Sequence, residues 1–189
     1  QQHFKKEDAT SPTTGNETQY TGGFLDGRDN FDGPLFKLSA NDALSLSPET
    51  RQFLEVVWET FEDAGYVQER LNSIQDNYEA GIAVYVGSMY NQYAWSMPTL
   101  EHAALLSNST EWHLANRVSH AFDLRGPSVA LNSACSSSLT AIHMACESLK
   151  LGNSLMAIAG GVNLTLDASK YSSLGLIGYL EEGKESKSF

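Results

Sequence analysis

Two cysteines in 189 residues, Cys135 and Cys146, are too few for a disulfide framework. Such sparing use fits a reduced, cytoplasmic setting. The chain has no run of about 18 apolar residues, so no membrane span is expected. It starts Gln1-Gln2-His3-Phe4-Lys5-Lys6 without an apolar h-region, so no signal peptide is expected. Basic residues are scarce: 12 Lys and Arg stand against 23 Asp and Glu, a net charge of −11. That argues against nucleic acid, whose binding needs clustered cations. Solubility accounts for the acidic excess without naming a partner. The five histidines show no metal-ligand spacing, so no metal is expected. Gly160-Gly161 lacks the six-residue glycine pattern of a phosphate loop and reads as a tight turn or close backbone approach. Internal repeats and low-complexity tracts are also absent.

What is present is enough for one domain with a core, at 41% hydrophobic and 19% charged residues. Residues 1–21 are polar and read as loop or extended chain; the domain is placed at 22–189. The missing initial Met and the polar end after Leu180 lead us to expect a piece of a longer polypeptide. Gly22-Gly23 opens an irregular stretch with Phe24, Leu25, Phe31, Leu35 and Phe36, a loop anchoring aromatics in a core. Ser47-Pro48 is a helix start, with Phe53, Leu54, Val57, Trp58 and Phe61 on one face and Gly65 as the stop. Residues 66–80 read as polar turn. Gly81 to Gly87 reads as a strand covered on both faces. Residues 88–98 read as loop, followed by short helices near 99–106 and 110–121. Leu155 to Ala159 reads as another buried strand and 167–174 as a helix. Alternation of strands and helices gives an α/β class.

The most informative stretch is Ala134-Cys135-Ser136-Ser137-Ser138-Leu139. An apolar strand, Val129-Ala130-Leu131, precedes it, and a helix from Ser136 to about Leu151 follows. This places the Cys135 thiol at a strand-to-helix turn, beside the unpaired N–H groups of the helix start. That setting favours the thiolate, the nucleophilic form of cysteine. Hydrolases use the same strand–turn–helix logic with serine. On the helix, Leu139, Ile142, Cys146 and Leu149 share a face, while Ala141 and Ala145 lie elsewhere on the circumference, so packing from several sides is open. Cys146 reads as core. His143 lies about 12 Å along the axis from Cys135 and reads as structural. His102, His113 and His120 read as surface or packing residues.

Several blocks together resemble one family. Gly126-Pro127-Ser128, Ala134-Cys135-Ser136-Ser137-Ser138-Leu139 and Ala159-Gly160-Gly161-Val162-Asn163 resemble the β-ketoacyl synthase (ketosynthase) domains of modular polyketide synthases. Gly22-Gly23-Phe24-Leu25, Ser47-Pro48-Glu49-Thr50-Arg51, Leu54-Glu55, Glu62-Asp63-Ala64-Gly65 and Ala115-Asn116-Arg117-Val118-Ser119 match in the same order. Val86-Gly87-Ser88-Met89-Tyr90 and the Lys170-Tyr171 segment resemble the subgroup fed by free-standing acyltransferases. Asn132 stands where an aspartate is common and Ser133 where threonine is common; Gly183-Lys184-Glu185 departs from the usual Gly-Arg-Cys.

The resemblance implies a thiolase-like fold, here mainly its N-terminal half, and a homodimer of the full domain. Pro127 to Asn132 would then pair with its copy across the dimer axis; an internal strand is the alternative. The resemblance further implies that Cys135 takes an acyl chain from the phosphopantetheine thioester of an acyl carrier protein. It then implies decarboxylative condensation with a malonyl-type extender, with no cofactor bound by the chain itself. The Cys135 backbone N–H would supply half of an oxyanion hole. Met89 and Tyr90 would line the acyl channel; ordinary loop packing is the alternative. The family's two histidines and its lysine belong to motifs beyond Phe189, in a C-terminal half. The chain alone is therefore expected not to condense. A non-elongating module that binds or transfers acyl chains is the alternative function, and a fatty acid ketosynthase fits the flanking blocks less well.

Overall fold

A computed structural model describes residues 23–27, 29–93 and 109–180. The chain divides into two compact units, residues 31–164 and a unit made from the two ends. The expected 1–21 segment, the helix at 99–106, His102 and the block after Leu180 lie outside the described residues.

The larger unit is built on a three-stranded parallel sheet in the order β2-β1-β3. β1 is Ile82–Gly87, β2 is Ser128–Leu131 and β3 is Met156–Gly161. The central strand β1 is buried throughout. Its alternation sends Ile82, Val84 and Val86 into one cluster and Ala83 and Tyr85 into another. Continuous apolarity on a strand with no polar face is what a sheet covered on both sides requires.

Helices α1 (Ala40–Ser45), α2 (Pro48–Asp63), α3 (Gln68–Asn77) and α4 (His113–Ala121) precede β2, and α5 (Ser137–Lys150) joins β2 to β3. α2 starts as read: the Ser47 hydroxyl accepts from the Thr50 N–H, and Pro48 takes the first helical position. It stops at Gly65, whose φ of +72° is left-handed, with Gly65 N–H donating to Glu62 C=O and Tyr66 N–H to Phe61 C=O. Phe53, Leu54, Val57 and Phe61 from α2 and Leu114, Ala115 and Val118 from α4 fill the first cluster, joined by Phe36. Of the aromatic stretch near the start, Phe31 and Phe36 are anchored in this core, where Phe36 stacks on Phe31 and meets Trp58 and Phe122 edge-on, while Leu35 is exposed.

Covering the two faces follows from the connections. The chain steps from β1 to β2 through α4, then back across β1 to β3 through α5. Right-handed crossovers in opposite directions put their helices on opposite faces.

Four expectations are corrected. Residues 66–80 hold a ten-residue helix, α3, rather than turns. Its polar sequence hides one buried stripe, Leu71 and Gln75. The Gln75 amide donates to Asp123 C=O (2.9 Å) and its Oε1 accepts from Arg125 N–H (2.7 Å), tying α3 to the turn before β2. Second, β3 is not fully buried; Ala159 and Gly161 are exposed. Third, α5 buries Ser137, Ala141, Ala145 and Ser148, whereas Leu139 (71% exposed), Ile142 (45%) and Leu149 (43%) face outward. Fourth, Cys146 lies on that outward side and is exposed, not core.

In the smaller unit, α6 spans Ser169–Leu176, two residues later than the sequence places it. Just before its start, Asp167 Oδ1 accepts from Ser169 N–H at 2.7 Å. The Ser169 hydroxyl first, and its N–H second, hold the Asp167 carboxyl below the usual carboxylate range.

Candidate functional site

The site begins with small residues. On its inner face α5 presents Ala141 and Ala145 to Ala83, Tyr85 and Ala157 of the sheet. Short side chains on both partners let the helix sit close to the strands. At its first turn the approach is closest. A Cβ on Gly87 would lie 2.4 Å from the Ser137 carbonyl carbon, and one on Gly161 would lie 2.7 Å from Ser138 Cβ. Contacts under 3.0 Å cannot be kept, so the ends of β1 and β3 must be glycine for α5 to start where it does.

Between β2 and α5 the chain reverses through Asn132 to Ser136. Ala134 sits at φ +55°, a left-handed conformation that alanine adopts at a cost of about 1–2 kcal/mol. Hydrogen bonds hold the turn in that shape. Asn132 Oδ1 accepts from Ala134 N–H (3.0 Å), Ser137 Oγ donates to Ala134 C=O (2.6 Å), and Ser133 N–H donates to Ser137 Oγ (3.0 Å). Outside these, Ser136 Oγ donates to Ser133 C=O (2.8 Å), and the Ser133 and Thr140 hydroxyls meet at 2.9 Å.

Cys135 stands at the tip of this turn and is exposed. It lines a cavity of about 340 Å³ with Gly87, Ser88 and Met89 from the end of β1, Ala134, Ser137 and Ser138, and Gly161 to Asn163 from the end of β3. The cavity therefore lies at the carboxyl ends of the parallel strands. There the loop after β1 leaves toward α4, while the turn after β2 leads into α5 on the other face. Open α/β sheets bind ligands at such a divergence.

Of the residues read from the sequence, Cys135 and Met89 come together at this cavity, while half-buried Tyr90 is not among its lining. His143 and His120 are exposed, and His113 stacks on Trp112 at 3.7 Å; none lines the cavity. Among the described residues no group of three or more His, Cys, Asp or Glu is placed to hold a metal ion. Asn132 was legible as a departure from a common pattern, but its hydrogen bonds to two residues lining the cavity were not.

Residues 1–189 match the family model described as β-ketoacyl synthase, N-terminal domain. The chain is 57% identical over 174 residues to the polyketide synthase PksR of Bacillus subtilis (strain 168), covering 92% of this chain and 7% of the relative. It is 43% identical to PksL of the same organism, covering 89% of this chain and 4% of the relative. Among solved structures it resembles the oxazolomycin ketosynthase domain OzmH KS7 of Streptomyces albus JA3453, with a TM-score of 0.72 and 37% identity over 84% of this chain and 27% of that one. It also resembles the ketosynthase from module 6 of the bacillaene synthase of Bacillus subtilis 168, with a TM-score of 0.70 and 32% identity over 84% of this chain and 26% of that one. The chain thus spans under a tenth of these synthases and about a quarter of these solved chains.

Proposed function

The chain belongs to the β-ketoacyl synthase family, acyltransferases of polyketide synthases, through its N-terminal domain, and from that premise we propose that Cys135 is the acyl acceptor. One observation carries the proposal: an exposed thiol in the turn just before α5, opening into a cavity of about 340 Å³ at the strand ends. In the proposed step the Cys135 thiolate attacks the carbonyl carbon of an acyl thioester. The C–S bond to the carrier's phosphopantetheine then breaks, its thiolate leaves and takes up a proton, and an S-acyl cysteine remains. The Cys135 N–H, with a second donor from elsewhere in the full domain, stabilises the tetrahedral oxyanion.

The family resemblance extends this to chain elongation. A malonyl-type extender on an acyl carrier protein loses CO2, and its carbanion attacks the Cys135 thioester to give a β-ketoacyl product. The resemblance assigns proton handling there to two histidines outside these 189 residues, and no described histidine lines the cavity. The chain alone is therefore proposed to accept acyl groups without forming a carbon–carbon bond. The outward Leu139, Ile142 and Leu149 of α5 support a C-terminal half as the missing partner, with a dimer of the completed domain. The likeness to the Bacillus synthases supports the subgroup fed by free-standing acyltransferases. Met89 is proposed to line the acyl channel; Tyr90 is left as a loop residue next to it.

The test is intact mass after incubation with an acyl pantetheine thioester. One acyl adduct is expected on the chain and none on Cys135→Ala. Equal labelling of both would remove Cys135 from the role.

A further inference from the structure

We infer that Asn132 is a positioning residue that latches the loop after β1 to the elbow and so sets which acyl chains reach Cys135. This inference rests on the proposed acylation of Cys135. The observation is a bridge made by one side chain. Asn132 Oδ1 accepts from Ala134 N–H at 3.0 Å, on the residue before the thiol, and Asn132 Nδ2 donates to Met89 C=O at 3.2 Å. Met89, from the loop after β1, and Ala134, from the turn after β2, both line the Cys135 cavity. No regular secondary structure holds residues 88–93. Ser88 N–H donates to Leu131 C=O at 3.0 Å and its C=O accepts from Ser137 Oγ at 3.4 Å, while further out Asn91 Nδ2 donates to Ser109 C=O and Tyr93 OH to Leu44 C=O at 2.7 Å; the Asn132 bridge is the tie at Met89, between these and beside the cavity.

The chemistry demands an amide. One end of the bridge needs an acceptor and the other a donor, and Asn supplies both from one planar group. A carboxylate at this position keeps the acceptor for Ala134 N–H but turns the donor into a second acceptor facing the Met89 carbonyl. Asp and Ala variants therefore separate the two ends of the bridge.

The experiment uses the whole chain, Asn132→Asp and Asn132→Ala, with two readouts. The first is amide hydrogen exchange. Asn132→Asp is expected to speed exchange at least five-fold across residues 88–93 and leave the 133–137 segment near the parent rate. Asn132→Ala is expected to speed both. The second readout, in a Cys146→Ala background, is acylation by short- and long-chain acyl pantetheine thioesters, alongside alkylation of Cys135 by iodoacetamide, a probe too small to sense the channel wall. Both variants are expected to alkylate within about two-fold of the parent while the ratio of long- to short-chain acylation changes at least five-fold. An unchanged ratio together with parent-like exchange at 88–93 overturns the latch. If the parent itself is not acylated, the acceptor role of Cys135 fails, and the exchange data alone decide the latch: acceleration at 88–93 in Asn132→Asp supports it and parent-like rates refute it.

Discussion

Gly87 and Ser137 meet backbone to backbone: the end of the central strand lies under the first residue of α5, with 2.4 Å between an added Cβ and the Ser137 carbonyl carbon. This approach puts the Cys135 turn over the sheet's carboxyl edge. Gly87→Ala is expected to cost at least about 2 kcal/mol, in the upper part of the range for over-packing, because backbone rather than a flexible side chain must yield. Urea unfolding checks it. Gly65→Ala is the contrast. Nothing lies within 4 Å of its added Cβ, yet φ is +72°, so a loss of about 1 kcal/mol from backbone strain alone is expected.

Both thiols are exposed, so brief iodoacetamide treatment of the native chain is expected to give two adducts by intact mass. Cys146→Ala should leave one, and should leave acylation by a thioester unchanged. A single adduct on the parent chain would contradict the exposure of Cys146.

Gln75 is buried and serves three backbone groups: it donates to Asp123 C=O and accepts from Arg125 N–H and, at 3.4 Å, from Ile82 N–H. Gln75→Ala leaves these groups without that partner, at an expected cost of about 2–3 kcal/mol in urea unfolding. Gln68→Ala, which removes a bond to Phe122 C=O from an exposed side chain, is expected to cost under about 1 kcal/mol.

Glu55 and Asp167 predict opposite pH trends. Partial burial raises the Glu55 carboxyl above its ordinary 4.5, with Glu59 and Asp32 adding in the same direction. The folded state then binds that proton more tightly. Its favourable contribution is complete below 4.5 and lost as pH rises through the raised value. Glu55→Gln keeps an acceptor for the Asp32 N–H and removes the charge, so it is expected to stabilise the chain slightly at pH 7. Asp167 is held below its ordinary 3.8 by Ser169. Its contribution is present above 3.8 and lost as pH falls through the depressed value, so Asp167→Asn should weaken the α6 start at pH 7, and by less as pH falls below 3.8. Thermal unfolding from pH 2 to 8 checks both signs.

The sequence carried far into the fold where local chemistry decides. Ser47-Pro48 and Gly65 bound α2 because a hydroxyl cap, a proline without an N–H and a left-handed glycine each act within a few residues. β1 was legible because apolarity without alternation has one economical explanation. α3 was missed because a mostly solvated helix with one buried Leu and one buried Gln shows little apolar periodicity. On α5 two stripes share the circumference, and the more hydrophobic one faces outward.

The order of residues alone established that a thiol lies in the turn between a strand and a helix, since both neighbours are written into adjacent segments. Only the folded chain decided what surrounds that thiol. Small residues brought α5 down onto the sheet, where distance matters more than hydrophobicity. Asn132 joined two cavity-lining segments separated by more than forty positions, a relation that no local pattern encodes.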